Sequence, residues 1–167
     1  MSPKNYVDVV DKNDTVIDKI TEEEATTVHD KITRSVAVLL YNSKGEMYLQ
    51  KRARTKVRYP LYWECSVSGF VDAGEPYEDA AVRELEEELG IRKKPQQLEF
   101  LFKKLIQTDK IEHAKVYALE TDEPITLNKE EISEGKFFSI PDIQTMIKEK
   151  KELLTPYFLQ IFKKLHL

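Results

Sequence analysis

The sequence of 167 residues is poor in several features that mark particular classes of protein. It contains one cysteine, which excludes an internal disulfide and a cysteine-rich zinc site. No segment has the roughly eighteen consecutive apolar residues that a membrane-spanning helix needs. The N-terminal segment also lacks the apolar stretch of a secretion signal. We therefore expect a cytoplasmic protein without a membrane partner.

Hydrophobic residues nevertheless make up 41% of the chain and include 7 Phe and 8 Tyr, enough to build a core. This length is typical of one domain, so we expect residues 1–167 to fold as a single unit. Apolar and alternating patterns predict strands at residues 6–10, 16–20, 35–41, 47–52, 62–71, 98–106 and 114–119. Capping residues and helical periods predict helices at residues 76–89, 141–151 and 156–166, and a short helix after Thr21. The mixture of strands and helices predicts an α/β fold in layers.

Charge is distributed unevenly along the chain, although the net charge is only −4. Residues 69–91 carry eight acidic residues and one basic residue, whereas residues 51–58 carry five basic residues and no acidic one. A metal cation could neutralise the acidic segment and a phosphorylated ligand could be held by the basic one, but two solvated surfaces would give the same composition. The net acidity and the lack of a nucleic-acid motif argue against a nucleic-acid partner.

Three glutamates of the acidic segment are spaced to share one face of the predicted helix. At about 100° per residue, Glu84, Glu87 and Glu88 lie within roughly 100° of arc, away from the apolar face that carries Val82 and Leu85. Three carboxylates so close together repel one another unless a cation lies among them. Oxygen ligands without histidine or cysteine suit Mg²⁺ or Mn²⁺. The spacing of the three alone leaves open a metal site or a solvated helix face.

The full spacing around these glutamates resembles a known motif. The Nudix box is written G-x5-E-x7-R-E-U-x-E-E-x-G-U, in which U is an apolar residue. Its fixed positions are all matched here, by Gly69, Glu75, Arg83, Glu84, Glu87, Glu88 and Gly90, with Leu85 and Ile91 at the apolar positions. The chain therefore resembles the Nudix hydrolases, which cleave diphosphates linked to another group. The resemblance implies a mixed β-sheet sandwiched between α-helices.

The resemblance also implies a role for each residue of the motif. The implied ligands of Mg²⁺ or Mn²⁺ are Glu84, Glu87, Glu88 and the backbone carbonyl of Gly69. Glu75 and Arg83 would form a supporting pair that positions the loop and the catalytic helix. Glu87 is our candidate for the base that takes a proton from the attacking water. Glu112, beside a later turn, is an alternative base or an ordinary surface acid.

Segments outside the motif resemble one branch of this family. Residues 7–11, 60–63 and 154–158 are similar to the isopentenyl-diphosphate-isomerase-like branch. In the true isomerases an Arg-Ala-x-x-Lys stretch grips the diphosphate of the substrate, and this stretch falls on Arg52 and Lys56. We expect these two residues to bind substrate, and an exposed strand end carrying charge is the alternative.

The residues that carry isomerase chemistry are replaced in this chain. The isomerase Cys-Gly-His segment falls on Ser-Gly-Phe, with Ser68 at the nucleophile position and Phe70 at a metal-binding position. The two earlier histidine positions fall on Thr26 and Thr33. The one cysteine, Cys65, is expected to be a small buried hydrophobic residue. The isomerase chemistry is therefore not expected to carry over.

The sequence as a whole favours a metal-dependent pyrophosphohydrolase that acts on a nucleoside diphosphate derivative or a related small metabolite. Two alternatives remain open, namely an isopentenyl-diphosphate isomerase and a non-catalytic module that binds a nucleotide. Such a module usually lacks part of the acidic trio, which is complete here. The oligomeric state, including a homodimer, and the group attached to the diphosphate stay open, because specificity lies in loops and pocket shape.

Overall fold

Residues 3–167, which the structure (a computed structural model) describes, form nine strands and four helices. The strands are β1 (Tyr6–Val10), β2 (Val16–Thr21), β3 (Ile32–Tyr41), β4 (Met47–Arg52), β5 (Trp63–Glu64), β6 (Val67–Phe70), β7 (Glu99–Gln107), β8 (Ile111–Glu120) and β9 (Ile132–Phe138). The helices are α1 (Glu22–Thr27), α2 (Tyr77–Leu89), α3 (Ile140–Glu149) and α4 (Pro156–Lys164). None of these helices is long and apolar enough to cross a membrane.

The nine strands belong to one mixed sheet, in which β3 has the central position. β3 runs parallel to β8 along its whole length, with Ile32 opposite Ile111 and Tyr41 opposite Glu120. On its other side β3 pairs antiparallel with β6, and its two ends meet β1 and β4. β2 extends the sheet beyond β1, β5 and β9 pair with β4, and β7 pairs with β8. Both β3 and β8 are therefore interior strands.

Side chains of β3 alternate between two apolar layers. Val36, Val38 and Leu40 pack with buried residues of α2 on one face of the sheet. Ala37 and Leu39 pack with buried residues of α3 and α4 on the other face. This alternation follows because successive side chains of a strand point to opposite faces. The structure thus has the layered α/β fold that the sequence patterns predict, with the sheet between helices that the resemblance implies.

Local sequence signals set the ends of the helices. Thr21 and Glu24 form the predicted capping box at the start of α1. The hydroxyls of Ser139 and Thr155 accept hydrogen bonds from the first turns of α3 and α4. Gly90 adopts a φ of 68°, which ends α2 at a conformation that favours glycine. For this reason the bounds of α2, α3 and α4 agree with the predictions to within two residues.

Two parts of the sheet differ from the prediction. β9 was not predicted, because only Ile132 of its residues is fully buried and the strand has no apolar alternation. It forms through its pairing with β4. The strand predicted over residues 62–71 is divided into β5 and β6. Between them the hydroxyl of Ser66 accepts from the amide of Leu40 at 2.8 Å and donates to the carbonyl of Tyr48 at 2.5 Å, so it links two neighbouring strands.

Candidate active site

A cavity of about 660 Å³ brings the two charged segments of the sequence together. Its lining includes all the residues predicted to bind metal or substrate, namely Gly69, Glu84, Glu87, Glu88, Arg52 and Lys56. Arg83 of α2 lines it as well. The acidic residues come mainly from α2 and the basic ones from the end of β4 and the loop that follows. The fold therefore joins the two segments in space, while the roles of these residues remain predictions.

Arg83 connects the acidic residues to one another. Its Nε and Nη2 donate to the two carboxylate oxygens of Glu75, at 2.8 and 2.9 Å. Its Nη1 donates to Glu84 at 2.8 Å and to Glu87 at 3.3 Å, and its Nη2 also donates to the carbonyl of Phe70 at 3.0 Å. Burial opposes the charged form of Glu75, but the hydrogen bonds from Arg83 and from the backbone amide of Asp72, together with the charge of Arg83, hold the Glu75 pKa below its usual range. Glu75 and Arg83 thus form the pair that the motif implies.

Glu84 lies against the backbone of Gly69, which explains the glycine at that position. A β-carbon on residue 69 would overlap the Glu84 carboxylate. Burial raises the pKa of Glu84 to about 7, although the neighbouring Arg83 acts in the opposite direction. A further cation beside Glu84 would favour its charged form. The close approach of α2 to β6 therefore requires a residue without a β-carbon at position 69.

Glu88 is buried and is held by Gln50 of β4. The Gln50 side-chain amide donates to one Glu88 oxygen at 2.6 Å, and the backbone amide of Ser68 donates to the other at 3.3 Å. Gln50 also donates to the carbonyl of Ser66 at 3.1 Å, which fixes its orientation. Burial, together with the charge of Glu84, raises the pKa of Glu88 well above its usual range. Gln50 was not predicted to be a site residue. The only indication in the sequence is a polar side chain within a strand whose preceding residues are apolar.

The donor set fits the predicted ion. Within residues 3–167 no three acidic, histidine or cysteine side chains converge closely enough to form a ready metal site. Arg83 lies between Glu84 and Glu87, the latter with 55% of its side chain exposed, and Gln50 holds Glu88. The candidate ligands offer only oxygen atoms. Glu84 shares Arg83 with Glu75 and Glu87, and the buried Glu88 forms no ion pair within residues 3–167, so a hard divalent cation would supply the missing positive charge.

The basic segment lines the same cavity and is braced by acidic partners. Lys56 donates to Glu131 at 2.5 Å, and the Nε of Arg52 donates to the carbonyl of Arg58 at 2.9 Å. Arg58 binds both carboxylate oxygens of Asp109, at 2.5 and 2.9 Å, and so fixes the loop to the turn before β8. The Nη groups of Arg52 make no hydrogen bond to any residue in 3–167, which leaves them available to a ligand. Arg58 is a further cationic residue of the cavity lining that was not predicted.

The interpretation of Glu112 as an ordinary surface acid is wrong. Glu112 is only 7% exposed and lines the cavity together with Lys110, which is 3% exposed. Glu112 is buried because β8 is covered by β3 on one side and β7 on the other. Neither Lys110 nor the buried Glu64, another lining residue, was predicted. The burial of these charged residues depends on which strands lie beside them, and no local sequence pattern shows this.

The positions that correspond to isomerase residues lie at or near the cavity. Ser68, Phe70 and Thr26 line it. Thr33 is buried, and its hydroxyl has no hydrogen-bond partner in the described part of the chain. Cys65 is fully buried in the apolar layer beside α3 and α4, as predicted for a small hydrophobic residue. These five positions therefore offer neither a thiol nor an imidazole to the cavity.

Sequence comparisons agree with the motif. Residues 31–158 match the NUDIX domain family. The chain is 35% identical over 155 residues to isopentenyl-diphosphate Δ-isomerase 1 of Photorhabdus laumondii, which covers 90% of this chain and 88% of that protein. It is 43% identical over 108 residues to an uncharacterized Nudix hydrolase of Pseudomonas aeruginosa, which covers 64% of this chain and 62% of that protein. Both the hydrolase family and the isomerase-like branch are thus represented among its relatives.

Solved structures agree with the fold. The crystal structure of DR0079 from Deinococcus radiodurans superposes with a TM-score of 0.73 at 26% identity and covers 87% of this chain and 90% of that one. The MutT protein from Methanosarcina mazei gives a TM-score of 0.65 at 23% identity, over 80% of this chain and 91% of that one. These likenesses confirm the mixed sheet between helices that the motif implies.

Proposed function

The chain belongs to the Nudix hydrolase family, and we propose that it is a metal-dependent hydrolase that cleaves a diphosphate linkage in a nucleoside diphosphate derivative or a related small metabolite. One observation carries the proposal. The complete acidic trio and the basic segment, which are separate in the sequence, line a single cavity. Opposite charges at one cavity fit a cation and a polyanion bound side by side.

The proposal gives a role in metal binding, substrate binding or positioning to the residues of the motif and of the basic segment. Glu84, Glu87, Glu88 and the Gly69 carbonyl would hold Mg²⁺ or Mn²⁺. The bound ion would polarise the phosphorus–oxygen bonds and lower the pKa of water. Arg52 and Lys56 bind the diphosphate oxygens, and Arg83 keeps Glu84 and Glu87 in position through its two Nη1 hydrogen bonds.

Glu87 is the proposed base. Its carboxylate is the most exposed of the trio, so it can meet water that enters the cavity. It would take one proton from the attacking water while the new phosphorus–oxygen bond forms and the bond from that phosphorus to the bridging oxygen breaks, with the electron pair going to the leaving phosphate. Glu84 and Glu88, which are more deeply buried, are instead suited to fixed ligand positions.

The second candidate is isopentenyl-diphosphate isomerisation, which the named relative from Photorhabdus favours. Isomerisation needs an acid and a base directed at carbon, and the phosphorus–oxygen bonds stay intact. Ser68 stands where the isomerases have the reactive cysteine, and a hydroxyl has a pKa too high to replace that thiol. Phe70, Thr26 and Thr33 remove the imidazole ligands of the second metal. A non-catalytic nucleotide-binding module is the third candidate, and the intact trio argues against it.

The test is a panel of diphosphate metabolites incubated with Mg²⁺ or Mn²⁺, with released phosphate measured after a phosphatase is added. Metal-dependent release from at least one member is expected, and its absence throughout the panel would contradict the proposal. In parallel, isopentenyl diphosphate is incubated in heavy water. We expect no deuterium incorporation beyond that of the Ser68→Ala variant. Rapid incorporation that requires Ser68 would establish the isomerase instead.

A further inference from the structure

Asp109 lies in the turn between β7 and β8 and binds residues of two other loops. Its carboxylate accepts from the Nε and Nη2 of Arg58, at 2.9 and 2.5 Å, and from the hydroxyl of Tyr59 at 3.0 Å. Its backbone carbonyl lies 2.6 Å from the Nδ1 of His29, in the loop after α1. Asp109 itself does not line the cavity, whereas Arg58 and Tyr59 do. It would therefore act on a ligand through the residues that it holds.

The pair of Asp109 and Arg58 is charged and has a fixed geometry. Burial opposes the charged form of Asp109, but the hydrogen bonds from Arg58, Tyr59 and Thr108, together with the charge of Arg58, lower the Asp109 pKa to about 2. The carboxylate is thus ionised at neutral pH. Its two oxygens bind two nitrogens of one planar guanidinium, which orients the Arg58 side chain more strictly than a single hydrogen bond does.

Arg58 in turn makes the contact that orients the Arg52 guanidinium. The Nε of Arg52 donates to the backbone carbonyl of Arg58 at 2.9 Å, and this is the only hydrogen bond that its guanidinium makes within residues 3–167. The backbone of Arg52 is held separately, because its amide donates to the carbonyl of Tyr62 and its carbonyl accepts from the amide of Leu61. With Nε engaged, the Nη groups of Arg52 remain for a ligand in the cavity that Arg52 lines.

The loop that carries Arg58 has a backbone that needs support from outside the loop. Tyr59 and Leu61 adopt φ angles of 49° and 64°, in the left-handed region that residues with a β-carbon rarely occupy. Such conformations persist where the surrounding contacts enforce them. The side chains of Arg58 and Tyr59 supply contacts of this kind through Asp109. Without Asp109 we expect the loop to relax and the Arg58 carbonyl to lose its fixed position.

We propose that Asp109 is a positioning residue, which acts through Arg58 to hold the Arg52 guanidinium where it binds a diphosphate. The proposal rests on the proposed function in one respect, namely that Arg52 binds the diphosphate of the ligand, and it does not require hydrolysis. The competing interpretation predicts the opposite sign. If Asp109 only neutralised Arg58, its removal would release a cation of the cavity lining and strengthen the binding of an anion.

The test measures affinity for methylene diphosphonate, a diphosphate analogue whose carbon bridge is not hydrolysed, by isothermal titration calorimetry in the presence of Mg²⁺. Arg52→Ala should weaken binding at least about tenfold, because a hydrogen bond to a charged group is lost. Asp109→Asn is nearly isosteric, but it removes the charge and replaces one acceptor oxygen by a donor. It should weaken binding about three- to tenfold, because the Arg52 guanidinium is still present but must be ordered when the ligand binds.

A double variant distinguishes positioning from a general structural role. In the Arg52→Ala background, Asp109→Asn should change the affinity by less than about twofold, because the residue through which it acts is gone. A general disturbance of the cavity would weaken binding by the same factor with and without Arg52. If Asp109→Asn does not fold, Arg58→Lys decides the question, because its ammonium keeps the charge but cannot bind both Asp109 oxygens in a planar pair. It should show the same dependence on Arg52.

Asp122→Asn is the matched control. Asp122 is exposed in the loop after β8, its carboxylate accepts from the backbone amide of Ser43 at 2.9 Å, and it does not line the cavity. The same chemical change there should leave the affinity unaltered in both backgrounds.

Several outcomes would overturn the positioning role of Asp109. They are unchanged or tighter binding by Asp109→Asn, an equal loss with and without Arg52, an unchanged affinity in Arg52→Ala, and no measurable binding by the unmodified protein. Binding of the analogue requires no hydrolysis, so the two proposals can fail separately. A dependence of Asp109 on Arg52 in a protein that hydrolyses no diphosphate would refute the hydrolase and keep the positioning role. Hydrolysis of diphosphates without that dependence would do the reverse.

Discussion

Replacement of Arg83 by alanine should destabilise the protein far more than replacement of an exposed arginine near the same helix. Arg83 makes five hydrogen bonds, two of them to Glu75 and one each to Glu84, Glu87 and the Phe70 carbonyl. Removal of this guanidinium leaves several carboxylates close together without their shared cation. The variant therefore loses attractive contacts and gains repulsion.

The magnitude follows from burial. Removal of one partner of a buried ion pair costs about 3–5 kcal/mol. The Arg83 side chain is 27% exposed, so water replaces part of the lost pairing, and we expect about 2–3 kcal/mol. For a chain of this length that corresponds to a midpoint temperature lower by roughly 5–10 °C. Arg92→Ala is the matched control, since Arg92 pairs with Glu86 at 2.7 Å while 85% and 50% of the two side chains are exposed. Such a pair contributes less than about 1 kcal/mol.

The assay is urea unfolding and thermal unfolding of the two variants and the unmodified protein, without added metal, followed by fluorescence of Trp63. Arg83→Lys is a further informative variant, because an ammonium keeps the charge but cannot span Glu75 and Glu84 with a planar fork. It should fall between Arg83→Ala and the unmodified protein. If Arg83→Ala lost no more stability than Arg92→Ala, the connecting role of Arg83 would be refuted.

Three further predictions concern activity. Glu87→Gln should lower kcat by at least about 100-fold, because the base is lost. It should leave the unfolding midpoint unchanged, because the side chain is 55% exposed. Full turnover in this variant would exclude Glu87 as the base. Arg52→Ala and Lys56→Ala should raise KM more than they lower kcat, because fixed cations bind the ground state and the transition state of the substrate alike. An unchanged KM in both variants would show that these residues do not bind substrate. Gly69→Ala should displace the Glu84 carboxylate and so raise the Mg²⁺ concentration needed for half-maximal activity. If that concentration did not change, the contact between Gly69 and Glu84 would not be needed for metal binding.

Helix geometry explains why the acidic part of the site could be predicted from the sequence. Glu84, Glu87 and Glu88 lie within two turns of one helix, so their common face depends on the helical period alone. Gly90 ends that helix by a local rule as well. The structure adds the environment of each carboxylate, which is set by residues distant in the sequence. Gln50, which holds Glu88, lies 38 positions earlier in a different strand, and no local pattern connects the two.

The burial of Glu112 could not be predicted, because it depends on the order of the strands. A glutamate beside a turn is normally exposed. Here β8 lies between β3 and β7, and this arrangement pairs Thr33 with Glu112 across the sheet. β9 was missed for a related reason, since its pairing with β4 is a long-range contact that its own residues do not signal. Local patterns thus predicted most of the elements but not the neighbours that the sheet gives them.

The similarity to an isomerase extends along most of the chain, but the positions that correspond to the isomerase cysteine and histidines carry Ser68, Phe70, Thr26 and Thr33 here. A hydrocarbon double bond is protonated in a dry pocket, and buried charges in that pocket must already be paired. Lys110 and Glu112 are 3% and 7% exposed and line the cavity, and neither side chain forms an ion pair within residues 3–167, so an isoprenoid tail beside them would cover two charges that lack an ionic partner. The residues that replace the isomerase ligands and the charged residues of the cavity lining therefore both favour the proposed hydrolysis over isomerisation.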